Sequence, residues 1–165
     1  NINFYNSAFL NKISLKYIVL CEDLFVSEIS TGGIPDTEKR TLILDINFNA
    51  KYFERMIHHE IFHMIQKSNM EIFDEGRFTS FNDDNFKYAE CSTCSDRLNL
   101  DLYNDTNGFL TEYSKSIASE DMAEIFSFLM TDKENIETLI KKDKILEKKV
   151  TFIKSGILKI DKNIL

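Results

Sequence analysis

The chain has 165 residues, 43% hydrophobic, with 14 Phe. That is enough apolar material for one domain with a real core, and it excludes a disordered chain. A net charge of −7 argues against a nucleic-acid binder. No run of about 18 apolar residues is present to span a membrane.

In chain order, Lys16–Leu20 reads as a strand and Leu24–Ser27 as a second, shorter one. Residues 30–39 contain Gly32-Gly33 and the only Pro, Pro35, and read as a turn or loop. Thr41–Ile46 is a strong strand by its β-branched and apolar content. It is the expected sheet edge on which an extended peptide would add as a strand. A helix follows at about 50–68: it lacks Gly and Pro, and Phe53, Ile57, Ile61, Met64 and Ile65 recur at helical spacing.

Residues 69–97 show no clear period. Their Cys91-x-x-Cys94 is either half a structural metal site or a redox pair, or it carries no function; the third cysteine, Cys21, makes the count odd and argues against a disulfide framework. The Asp/Asn-rich stretch 82–107 lacks the ligand spacing of an EF-hand and is explained by Asx turns. Leu98–Tyr103 and Phe109–Tyr113 suggest a hairpin around Asn107-Gly108. A helix at about 119–131 has Ser119 as its expected N-cap and acidic Glu120 and Asp121 in its first turn. Residues 133–160 read as one or two amphipathic helices. The division expected is a catalytic unit over 1–131 and a helical extension over 132–165 packed on it. That extension carries nine Lys against six acids, leaving −10 on the rest.

The chemistry concentrates in the first long helix. His59 and His63 are four residues apart, hence on one face, opposite the apolar stripe. Two imidazoles so placed can ligate one Zn²⁺ at roughly 2.0–2.1 Å each. Glu60 projects beside that face and suits a general base rather than a ligand. His58 points away. A catalytic zinc centre needs a third protein ligand and an open position. Gln66 and Asn69 stand where a metzincin would carry Gly and His, so the third ligand is expected to be a carboxylate from further along the chain. Glu120 and Glu124, four apart on the later helix, are the candidates. Glu124 would otherwise be a costly unpaired carboxylate among packed residues.

His59-Glu60-x-x-His63, then Tyr113, then Glu120-x-x-x-Glu124, resembles the gluzincin metallopeptidases. It is most similar to the branch holding the catalytic domain of anthrax lethal factor and the bacterial Pro-Pro endopeptidases. The sequence departs from the pattern at Phe62, where a small residue is usual, and at Ser119 and Glu124, where broader gluzincins often carry Asn and Asp. The resemblance implies one zinc per chain, held by His59, His63 and Glu120. It implies Glu60 as the residue that polarises water, Tyr113 as an oxyanion or leaving-group donor, and Glu124 as the support of a ligand histidine.

The expectation is therefore a compact α+β zincin-like domain, with a small mixed sheet packed on the histidine helix. Its expected function is a zinc-dependent endopeptidase acting on peptides or proteins. The competing reading is a non-catalytic zinc-binding domain that serves protein–protein interaction, and the intact Glu60 speaks against it. The sequence begins at Asn1 without a signal-peptide pattern. This is compatible with a mature or excised part of a secreted or bacterial effector-like protease, and gives no compartment.

Overall fold

The computed structural model describes residues 2–94 and 96–165. The first helix, α1 (Ser7–Lys12), is capped by the Asn6 side chain, which accepts from the Phe9 N–H. It drives Phe9 and Ile13 into the core, with Tyr5 and Leu15 buried beside them. Five strands follow: β1 (Tyr17–Cys21), β2 (Phe25–Val26), β3 (Ile29–Ser30), β4 (Gly33–Asp36) and β5 (Thr41–Asp45). β2 and β3 form a small antiparallel hairpin. Its turn residues Ser27 and Glu28 both adopt positive φ, 51° and 67°, as a tight primed turn demands.

The main sheet has the order β1-β5-β4, with β1 parallel and β4 antiparallel to β5. The strand expected at the edge, Thr41–Ile46, is thus the central strand. Leu42 and Leu44, on one face, are fully enclosed, and on the other face Ile43 is half-buried between buried Thr41 and Asp45. The edge nearest the histidine helix is β4, formed by residues expected to be loop. Pro35 is tolerated there because an edge strand has one unpaired side.

Helix α2 (Ala50–Ser68) is capped by Asn49, whose side chain accepts from the Lys51 N–H. It buries Ile57, Ile61, Met64 and Ile65 of the expected stripe, while Phe53, one turn earlier, is half-buried against the core. A short helix, α3 (Glu75–Thr79), lies in the segment without clear period and is capped by Asp74.

The expected 98–113 hairpin does not form as strands. A turn is present, with Asn107 and Gly108 at positive φ, 41° and 86°. Only two backbone bonds tie its arms, Tyr103 N–H to Leu110 O and Tyr113 N–H to Asn99 O. Tyr113 instead starts a 3-10 turn, Tyr113–Lys115.

Helix α4 (Ala118–Thr131) begins one residue before its expected cap. Ile117 is the N-cap residue, with no side-chain cap bond, so Ser119 falls inside the first turn. The C-terminal region forms α5 (Lys133–Leu139) and α6 (Lys144–Ile160). α6 contributes Leu146, Val150, Ile153 and Ile157 to the same hydrophobic core as α2 and α4. Phe62 of α2 meets Phe126 of α4 with ring centroids 5.3 Å apart, and Phe73 at 5.1 Å. Phe62 therefore serves as the packing knob between α2 and α4. Cys91 and Cys94 are joined as a disulfide, with Cα atoms 5.4 Å apart. No described helix is long and apolar enough to cross a membrane.

Candidate metal centre and active site

α2 and α4 pack so that His59, His63 and Glu120 converge. Glu120 Oε2 lies 2.8 Å from His59 Nε2 and 3.2 Å from His63 Nε2, and the two Nε2 atoms are 3.2 Å apart. Tetrahedral ligands about 2.0–2.1 Å from one ion stand roughly 3.3 Å from each other. The three donor atoms are thus close to the spacing one zinc ion requires. Among the described residues they form the cluster able to hold a metal. An N/N/O donor set of two imidazoles and a carboxylate is one that zinc takes.

Each ligand position has a local cause. His59 and His63 share the α2 face away from the core stripe, and Glu120 projects from the first turn of α4. His58, on α2's other side, is buried and accepts from or donates to Tyr5 Oη through Nδ1 at 2.6 Å. Burial pushes its pKa down to about 4, so it stays neutral and takes no part in the cluster.

Glu124, one turn on from Glu120, is almost fully buried, and every partner it has is polar. Its Oε1 faces His59 Nδ1 at 3.0 Å, Thr111 Oγ1 donates to its Oε2 at 2.9 Å, and Arg55 Nη1 donates to both oxygens at 2.6 Å. An Nδ1–H held on this carboxylate would leave the Nε2 lone pair of His59 to a metal. Arg55 was not apparent from the sequence as part of the site. The signal was there: Arg55, His59 and His63 recur every four residues on one face. A buried cation beside two histidines makes sense only with a buried carboxylate between them. Arg55 Nη2 also donates to Leu100 O at 2.8 Å, which pins the irregular 98–101 segment to α2.

The electrostatics favour a cation. Burial works against the His59 imidazolium, yet bonding and charge from Glu120 and Glu124 outweigh it and push the group up to about 10. Glu120 is likewise penalised by burial, but His63 and His59 hold its carboxyl well below the usual range. Burial also opposes the Glu124 anion, and its bond to His59 with the Arg55 charge keeps it ionised. The carboxylates that raise the His59 pKa also put negative charge where a metal cation would sit.

Glu60 sits beside the cluster, buried, and burial raises its pKa. It lies directly beneath β4. A Cβ on Gly33 would come 2.5 Å from Glu60 Cγ and 3.2 Å from Met56 Sδ, so only glycine lets the edge strand pass this close. The Tyr113 ring centroid is 6.0 Å from that of His59. Burial and the negative charge of Glu120 and Glu60 raise its phenol far above its ordinary value, so it remains a donor. All six residues singled out in the sequence, with Arg55, line one cleft of about 600 Å³.

No curated protein matches the chain. A crystal structure of a putative zinc-binding metallo-peptidase from Bacteroides caccae ATCC 43185 has the same fold, with a TM-score of 0.52 and 14% sequence identity. The match covers 99% of this chain and 87% of that one. The α+β architecture is thus shared with a solved structure. The family model described as "Putative zinc-binding metallo-peptidase" matches residues 34–160, and the chain belongs to that family.

Proposed function

We propose that this protein is a zinc-dependent endopeptidase of gluzincin type, with one zinc per chain held by His59, His63 and Glu120. The observation that carries the reading is the convergence of two Nε2 atoms and one carboxylate oxygen within 3.2 Å of one another, with Glu60 beside them. Zinc in such a site supplies Lewis acidity that acidifies water and polarises a carbonyl.

The remaining steps belong to the chain's own residues. The Glu60 carboxylate takes the proton of the attacking water and delivers it to the leaving amine nitrogen. Its raised pKa brings it closer to neutral pH, where a general base that must also release a proton is most effective. Tyr113 donates its phenolic O–H to the oxyanion. Glu124, held by Arg55 and Thr111, keeps His59 in the tautomer that presents Nε2. β4 offers the strand on which an extended substrate lies. Asp45 N–H donates to Gly32 O, so by alternation the Gly33 N–H and Pro35 C=O face outward, free for a peptide backbone. The acidic body favours neutral or basic peptides by field focusing. Residues 132–165 serve as a packed extension of the same unit.

Cleavage of a peptide library with and without a chelator tests the reading. Glu60→Ala separates chemistry from folding: it is expected to retain zinc and thermal stability while losing cleavage. Full activity in that variant would remove Glu60 from the mechanism, and loss of zinc from folded protein would make it a ligand.

A further inference from the structure

β1 lies at the edge of the main sheet opposite β4, and among the described residues no strand pairs with its outer side. Tyr17 N–H donates to Arg40 O, and Cys21 O accepts from Ile46 N–H. These groups face β5, so alternation turns the N–H and C=O of Ile18 and Leu20 outward. The side chains are open as well. Tyr17 is 53% exposed, Ile18 39%, Val19 46% and Leu20 63%. Ile46, whose N–H donates to Cys21 O at the end of β1, is also exposed. Natural proteins blunt free edges with short strands, charges, Pro or bulges. This edge has five apolar or uncharged residues in a row and its charges only at the two ends, Lys16 and Glu22.

The order of those end charges selects a partner. We propose that β1 pairs with β1 of a second copy of this chain, antiparallel and centred on Val19, joining two three-stranded sheets into one of six. In that register Ile18 faces Leu20 of the other copy. Both present outward N–H and C=O groups, so the two symmetric pairs exchange four hydrogen bonds. Lys16 faces Glu22 of the other copy, and the two-fold repeats the pair. Opposite charges directly across a strand pair stabilise it, and like charges destabilise it. Centring on Ile18 or Leu20 instead sets Lys16 against Leu20 or Leu24 and loses both charge pairs. The contact is isologous and closed, so it stops at a dimer. β4 and the cleft lie on the far edge of each sheet and stay open in both copies.

Light scattering over a concentration series tests this on the 165-residue chain. The expected mass at the upper end is twice the 19.3 kDa of one chain. Val19→Lys sets two lysines against each other on the two-fold and is expected to leave only monomer with an unchanged circular dichroism spectrum. Glu22→Lys should weaken dimerisation about tenfold, and Lys16→Glu with Glu22→Lys should restore it. Val19→Cys should yield an oxidised covalent dimer, because Cα atoms of a directly opposed non-hydrogen-bonded pair stand about 4.5 Å apart, within disulfide range. A wild-type chain that stays at 19.3 kDa at every concentration overturns the proposal, and so does a dimer indifferent to Val19→Lys. A dimer in which the charge swap fails to restore what Glu22→Lys removes, and in which Val19→Cys does not cross-link, overturns the register.

Discussion

Replacing Arg55 by Met tests whether the buried carboxylate behind His59 organises the centre. The side chains of Arg55 and Glu124 are 10% and 2% exposed, so the pair is shielded from water. Removing one member of such a pair leaves an uncompensated buried charge and costs about 3–5 kcal/mol. Met keeps the hydrocarbon stem, which packs where the guanidinium carbon sits 4.3 Å from the Phe128 ring centroid, so lost packing contributes little. With the cation gone, Glu124 escapes the penalty by taking a proton. A protonated Glu124 no longer accepts cleanly from His59 Nδ1, and the imidazole is released from the tautomer that presents Nε2. Zinc affinity should then fall roughly 10–100-fold, the usual cost of losing an orienting partner. Urea unfolding of metal-free protein reads the first number, and competition with a chromophoric chelator reads the second. Arg55→Met combined with Glu124→Gln removes the orphan charge. It should recover a good part of the stability but none of the zinc affinity, giving a coupling energy of about 1–3 kcal/mol in the double-mutant cycle. Additive stabilities, or an Arg55→Met variant within about 0.5 kcal/mol of wild type with unchanged zinc affinity, would refute the argument.

Three further outcomes follow from the same geometry. Gly33→Ala places a methyl group 2.5 Å from Glu60 Cγ. Overpacking of about 1–3 kcal/mol should appear as displaced Glu60 and lost cleavage with zinc content unchanged, and wild-type kcat/KM in this variant would mean Glu60 is not held by the strand. Tyr113→Phe should lower kcat/KM by on the order of 10²–10³ with little change in KM, since an oxyanion bond forms mainly in the transition state; a kinetically silent change removes Tyr113 from the chemistry. Asp143 caps α6 by accepting from the Ile145 and Leu146 N–H groups, and it also accepts from Thr106 Oγ1 and the Gly108 N–H. Burial opposes the anion, but these four donors keep its carboxyl below the ordinary 3.8. A depressed carboxyl gives stability that is present above 3.8 and lost as the pH falls through its folded value. Asp143→Ala should therefore cost about 1–2 kcal/mol at neutral pH and much less in acid, read by urea unfolding at both; a deficit independent of pH would show that the charge contributes nothing.

The legible part of the site was the part whose geometry is local. A helix fixes what lies at i and i+4, so His59, His63 and the offset of Glu60 follow from spacing alone. Glu120 and Glu124 needed one step more, since their separation puts them on one face but nothing local says which helix they meet. What stayed hidden depends on contacts distant in sequence. β4 is a strand because β5 and α2 hold it, although Gly32-Gly33 and Pro35 read as a turn. The run Thr41-Leu42-Ile43-Leu44 revealed a strand and not its place in the sheet, because a central strand and a one-sided edge differ only in what covers their second face. The 98–113 segment has hairpin residues around a real turn, yet its first arm is spent on another partner, with Leu100 O accepting from Arg55 Nη2.

The C-terminal region shows how far such distant contacts reach into the site. In sequence, Lys149 is a cation three residues after Leu146 and four before Ile153, hence on the flank of the helix's apolar face. In the fold it is fully buried. Its Nζ donates to Asp121 Oδ2 at 2.7 Å and to Gly108 O at 2.8 Å, and Tyr88 Oη donates to the same Asp121 oxygen at 2.7 Å. A buried ion pair is a poor source of net stability, because desolvation consumes most of the attraction. It fixes geometry instead, because Lys149 and Asp121 are both shut off from water and reach each other, Gly108 O and Tyr88 Oη only at this spot. Asp121 is the residue after Glu120, in the first turn of a helix that has no side-chain cap. The turn that aims Glu120 at the two histidines is therefore held from behind, by α6 through Lys149 and by the Tyr88 segment. On this argument residues 132–165 are a structural condition for the position of Glu120, even though none of them touches the cluster.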